Sequence, residues 1–192
     1  MKKKHMSFTS MIAVILLIRC MDQPASDPRG LTFCCQETND LYQVLSKSKA
    51  IPCTRWETVE QAISAAPQGS GILILADGYP DRPTEVDSAL LNIAREKRLR
   101  MYLEFSASLP GITVDSVKTT HYERAVISSD FFLPDLEPLT ILAIHDCHFI
   151  PFSAPRSHLV LSRVAGFDRA IYGLGDNAWP LLAFNSDSSV LI

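Results

Sequence analysis

From Leu31 onward, short apolar runs alternate with amphipathic stretches, and this pattern predicts most of the first half of the fold. Residues 31–35 (LTFCC) read as a buried strand. Residues 39–47 place Leu41, Val44 and Leu45 on one helical face, and residues 51–53 form a second short strand. Residues 58–66 carry Val59, Ala62, Ile63 and Ala66 at helical spacing, and Thr58 with Gln61 has the spacing of a capping box. Residues 71–76 (GILILA) are the strongest strand, between Gly69 and Asp77. Residues 85–97 put Val86, Ala89, Leu90, Ile93 and Ala94 on one face of a helix, and residues 99–105 (LRMYLEF) are a fourth strand. Strands alternating with helices over so short a stretch predict an α/β fold of three layers. A largely parallel sheet lies between helices, joined by right-handed crossovers.

The pattern changes after Pro110. Residues 125–128, 139–145, 159–164 and 170–172 read as extended, and no helix is predicted beyond Lys97. The closing segments 181–184 and 189–192 flank Asn185-Ser186-Asp187-Ser188, whose side chains suit a turn, so a terminal hairpin is expected. The β-rich second half is expected to add strands to the main sheet as well as hairpins. It offers no helix to cover that sheet, and the chain stops on an apolar strand. The expectation is a reading frame truncated at its C-terminus, or a domain cut from a longer protein.

The first residues have a different character. Lys2, Lys3 and Lys4 precede an uninterrupted apolar run at residues 11–18 (MIAVILLI). A basic segment before a short apolar one reads as an export signal. As a helix the run spans about 12 Å, against roughly 30 Å for a bilayer core, so it is not a transmembrane span. Residues 17–20 (LIRC) resemble a bacterial lipoprotein signal that acylates Cys20, with Arg19 standing where that pattern has a small residue. The expected organisation is a signal at residues 1–20, a Pro- and Asp-rich tether at 21–30 and an α/β domain at 31–192. The expected location is the periplasm or cell envelope, with membrane attachment only through Cys20.

The whole chain of 192 residues carries a net charge of −3. Removing residues 1–20 leaves 14 basic against 21 acidic residues, a net charge of −7. That balance argues against nucleic acid as a partner. The hydrophobic fraction of 47% is that of an ordinary globular chain, and five cysteines are too few for a disulfide scaffold.

In an open parallel sheet, ligands lie beyond the carboxyl ends of the strands. The loop at residues 77–83 (DGYPDRP) stands at one such end. Gly78 there allows positive φ, and Pro80 and Pro83 stiffen the turn. Asp77, Tyr79, Asp81 and Arg82 are candidates for a polar ligand such as a sugar; the plainer role of the acids is to cap the following helix. Asp77, Asp81 and Glu104 are the weak catalytic candidates, because glycoside hydrolysis needs two carboxyls about 5–10 Å apart. Ser106 lacks the small neighbours of a nucleophile elbow, with Glu104 and Ser108 at those places.

His145, Asp146, Cys147 and His148 form a second candidate cluster for a ligand. His145 and His148 are weak candidates for a metal, for which only His121 and His158 offer further imidazoles after the signal. Either histidine beside Cys147 is a remote candidate for acyl transfer, with no oxyanion-hole pattern beside it. Cys34, Cys35 and Cys53 read as small buried thiols; at most one of the first two can reach Cys53. No cofactor is called for.

The stretch 71–110 (GILILADGYPDRP…LNIAREKRLRMYLEFSASLP) resembles glutamine-amidotransferase-like domains, a flavodoxin-like fold shared with the trehalose-utilisation (ThuA-like) group. Residues 142–151 (LAIHDCHFIP) and 164–184 look like later parts of the same domain. Such domains occur in exported bacterial proteins beside glycoside hydrolase modules. The G-x-C-x-G elbow of true amidotransferases is missing here, so the resemblance does not carry that activity over. It implies a non-catalytic accessory or binding domain, whose partner is a carbohydrate or a downstream hydrolase module. Two alternatives remain open: a glycoside hydrolase, whole or in part, using the strand-end carboxylates, and an envelope interaction protein.

Overall fold

In the computed structural model, which describes residues 30–108, 112–185 and 190–192, a five-stranded parallel sheet forms the spine. Its strands are β1 (Leu31–Cys34), β2 (Cys53–Trp56), β3 (Gly71–Ile74), β4 (Arg100–Leu103) and β11 (Val190–Leu191), in the spatial order β2-β1-β3-β4-β11. Leu31 stands opposite both Cys53 and Gly71, Gly71 opposite Arg100, and Val190 opposite Met101. The first three connections carry the helices α1 (Asp40–Ser48), α2 (Val59–Ala65) and α3 (Ser88–Glu96).

Each helix starts where a short polar side chain caps it. Asn39 Oδ1 accepts the N–H groups of Leu41 and Tyr42, Thr58 Oγ1 that of Gln61, and Asp87 Oδ1 that of Ala89. Helix α3 therefore begins at Ser88, three residues later than its apolar spacing predicts, and its cap is Asp87 rather than Asp77 or Asp81. The Lys97 ammonium donates to the carbonyls of Ile63 and Ser64, both at 2.7 Å, and satisfies the open C-terminal end of α2.

Strand alternation separates two cores. Ile72, Ile74, Met101 and Leu103 face Ala62 and Ile63 of α2 and Leu91 and Ala94 of α3. Phe33, Cys35 and Leu75 face the other way, against Tyr42 and Leu45 of α1. Phe33, Ile72 and Leu103 are fully buried, and each contributes about 1.5–3 kcal/mol of apolar transfer. Cys34 joins the first core and Cys35 the second, and Cys53 packs beside Cys35. All three are free thiols, and burial pushes Cys34 and Cys35 up to about 11.

The second half builds two antiparallel units. One sheet has the order β10-β9-β6-β7, from β6 (Arg124–Ile127), β7 (Ile141–Leu142), β9 (Leu159–Ser162) and β10 (Trp179–Leu182). Val126 and Val160 are paired partners in it and anchor its core. The other unit is a ribbon in which β5 (Lys118–Thr119) pairs with β8 (His148–Phe149), extended by a bridge between Val114 and Phe152. At the entry to β6, the buried Glu123 carboxylate accepts the N–H groups of His121 and Tyr122 and the Arg163 Nε–H. The His121 N–H does most to hold Glu123 down at about 2; Arg163 and Tyr122 add to it and burial opposes it.

Several sequence expectations need correction. The second strand is Cys53–Trp56, not residues 51–53. Residues 170–172 are no strand: Ala170 is buried, but Ile171 and Tyr172 lie exposed in a turn. The extended run at 139–145 shrinks to Ile141–Leu142. The terminal hairpin exists through paired bonds between Ala183 and Ile192, yet its limbs enter different sheets. Strand β10 joins β9, and β11 joins β4 in parallel. Part of the expected turn, like the signal, most of the tether and Cys20, lies outside the described residues. Among the described residues, no helix follows α3 and none is long and apolar enough to cross a membrane.

Candidate functional site

The strand order reverses direction between β1 and β3, and the carboxyl ends of β3 and β4 lead into the polar loops. Glu104, just past β4, reaches back, and its Oε2 accepts the N–H of Ala76 at 2.8 Å. Asp77, just past β3, turns the other way, and its Oδ2 accepts the N–H of Gln36 at 2.7 Å. The Arg55 guanidinium donates to the Cys35 carbonyl at 3.0 Å beside them. Both acids thus complete the backbone bonding of neighbouring strand ends.

A cavity of about 500 Å³ opens beyond β3 and β4. One wall is the strand-end segment with Glu104, Phe105 and Ser106. The opposite wall is the β5–β8 ribbon with Thr120, Cys147 and His148, and its floor includes Leu161 and Leu181. That volume falls within the roughly 300–1,000 Å³ of pockets that bury small ligands. Tyr79 ties the two walls together: its hydroxyl oxygen accepts the His148 N–H at 2.7 Å. The Tyr79 ring meets Phe105 edge to face at 5.1 Å and the His148 ring at 6.1 Å. Phe105 takes φ 51°, a left-handed conformation that swings the chain away from the sheet just past the end of β4.

The structure divides the loop at residues 77–83. Tyr79 lines the cavity, whereas Asp77 and Arg82 line a shallower recess with Val59 and Thr84, and Asp81 lines neither. Gly78 does not take positive φ. It is required because a Cβ there would lie 2.9 Å from the Arg82 carbonyl oxygen, where the chain turns back and the Arg82 N–H donates to the Gly78 carbonyl at 2.8 Å. The histidine cluster divides as well. His148 and Cys147 line the cavity. His145 and Asp146 stand outside, both exposed, with His145 Nε2 3.1 Å from Asp146 Oδ2. Cys147 Sγ donates to the His145 carbonyl at 3.4 Å, a main-chain partner rather than an imidazole ring. Among the described residues, no group of three or more His, Cys, Asp or Glu side chains could hold a metal ion.

Ser106 is buried, and its hydroxyl donates to the Ser108 carbonyl at 3.1 Å. His158, in the bend just before β9, shares its Nδ1 with the Ser129 hydroxyl at 2.8 Å and stacks on Phe131 at 4.4 Å.

Sequence reasoning marks Phe105 only as part of the strand end Glu104-Phe105-Ser106 and does not single out Thr120 or Asn39; all three line the cavity. Phe105 had a weak signal as the residue closing a strand before a polar loop. Thr120 had none, since its place follows from the pairing of β5 with β8 across a long insertion. No family model matches this chain, and neither a curated protein nor a solved structure matches it.

Proposed function

We propose that the chain is an exported, non-catalytic binding domain of a carbohydrate-degrading protein, anchored through Cys20, and that its ligand site is the cavity beyond β3 and β4. The carrying observation is the cavity itself: about 500 Å³, at strand carboxyl ends, with the Tyr79 and Phe105 rings beside it. Aromatic rings with polar tips suit the mixed apolar and hydroxylated faces of a sugar ring.

A flavodoxin-like fold is part of this reading. The order β2-β1-β3-β4 followed by one more parallel strand agrees with the flavodoxin-like order 2-1-3-4-5. The second half departs from it, since no helix leads into β11 among the described residues. A non-catalytic role is supported by the work the strand-end groups already do. Asp77 and Glu104 each hold a backbone N–H, and the Ser106 hydroxyl is spent on a carbonyl.

Calorimetric titration with a panel of mono- and disaccharides tests the reading, beside a variant whose cavity is filled, Cys147→Trp. The expected result is saturable binding by the native chain that the variant loses. Binding that survives the substitution, or none across the panel, would sink it. Turnover of aryl glycosides abolished by Glu104→Gln would replace it with the hydrolase reading.

A further inference from the structure

We propose that the cavity selects a small ligand carrying a protonated primary amine, an amino sugar within the carbohydrate reading, with the amine set against Glu104 and the ring against Tyr79 and Phe105. This rests on the cavity being the binding site.

Most polar groups that line it already have partners within the protein. Thr120 Oγ1 accepts the Cys147 N–H at 3.0 Å, the Ser106 hydroxyl bonds Ser108, and the Tyr79 hydroxyl holds His148. These groups have protein partners and ask little of a ligand. Glu104 differs. Its Oε2 takes the Ala76 N–H, and its Oε1 has no hydrogen-bond partner among the described residues. A carboxylate oxygen covered by a ligand that offers it no donor carries a desolvation cost. An ammonium offers three donors and the opposite charge, and charge-assisted bonds are the strongest of their class.

Charge and ring placement point the same way. Among the described lining residues, Glu104 is the sole side-chain carboxylate, and none is a lysine or arginine. A phosphate or carboxylate ligand would meet a like charge with no fixed cation to offset it. The Tyr79 and Phe105 rings, in edge-to-face contact at 5.1 Å, line the same cavity as this carboxylate, and aromatic rings attract an ammonium at their faces. Tyr102, also in the lining, reports the local field: burial pushes its phenol up to about 12, and the Glu104 charge adds to that.

The test is calorimetric titration of the full chain at about pH 6, where primary amines are protonated. The probes are glucosamine against glucose, benzylamine against benzyl alcohol, and glucose 6-phosphate. Each amine is expected to bind at least about tenfold tighter than its neutral counterpart, as one charge-assisted bond allows. Glu104→Gln keeps an amide oxygen for the Ala76 N–H and is expected to bring each pair to near parity. The comparison within the native chain decides the matter even if that variant does not fold. Neutral sugars bound as tightly as amines would overturn the inference and leave the cavity reading standing. Preference for glucose 6-phosphate, or amine binding that survives Cys147→Trp, would overturn it too. If no probe binds at all, the inference fails, and the saccharide panel decides separately whether the cavity reading fails with it.

Discussion

The Glu104 carboxylate accepts the Ala76 main-chain N–H at 2.8 Å, so the acid at the end of β4 closes the backbone at the end of β3. Asp77 does the same for Gln36 at the end of β1. A parallel sheet leaves such N–H groups open where its strands diverge, and unpaired donors are costly once partly buried. The two acids most suited to catalysis by position are therefore part of the scaffold that shapes the cavity.

This relationship sets an expectation for stability. Glu104→Ala strands the Ala76 N–H and is expected to cost about 1–2 kcal/mol, whereas Glu104→Gln retains an acceptor and should stay within about 0.5 kcal/mol of the native chain. Urea unfolding followed by circular dichroism measures both. Equal losses in the two variants would show that charge, not the hydrogen bond, is what matters there.

Two groups give the protein a dependence on pH. Burial lowers His158 below its usual value; nearby Arg156 adds to this and Asp130 opposes it. A depressed histidine contributes stability that is complete above about 6.5 and is lost as pH falls toward its folded value. Glu123 is held at about 2, so its contribution is complete above its usual value near 4.5 and is lost as pH falls toward 2. Melting temperature is expected to fall first as pH drops below about 6.5, then again below about 4.5. His158→Gln should remove the first fall and Glu123→Gln the second. A melting curve flat from pH 7 to 5 in the native chain would contradict the His158 assignment.

The thiols supply a reading of the cavity that needs no ligand signal. Cys34 and Cys35 are buried and pushed up to about 11, while Cys147 is half-buried in the cavity wall. Iodoacetamide near pH 8 attacks thiolates, so Cys147 is expected to alkylate well before Cys34 and Cys35. Saturating ligand should slow Cys147 alone. Peptide mass spectrometry over time follows each site, and protection at Cys35 with none at Cys147 would move the ligand to another site.

How much of this could be read from residues alone depends on how local each cause is. The helices were legible because the apolar spacing of Val59, Ala62 and Ile63 and the cap at Thr58 act within one turn. The start of α3 was misread because Val86 fits the apolar face, while the deciding hydrogen bond belongs to Asp87. Strand β2 was placed too early because its edge position leaves Thr54 and Trp56 exposed, so it lacks the continuous apolar run of a central strand. Its pairing opposite Leu31 sets its register. The ribbon of β5 and β8 joins segments some thirty residues apart, and Lys118 and Thr119 carry no pattern that foretells it. The candidate site was half legible for the same reason. Strand ends pointed to Tyr79 and Glu104, but only the fold separates Tyr79 from Asp77 and His148 from His145.

The most direct measurement is a map of amide chemical shifts in the ¹⁵N-labelled chain during titration with glucosamine. The expected result is a saturable set of changes at Ala76, Tyr79, Glu104, Phe105, Cys147 and His148, all of which line this cavity. Changes confined to the recess of Asp77 and Arg82, or the absence of any change across the saccharide panel, would contradict the cavity as the binding site.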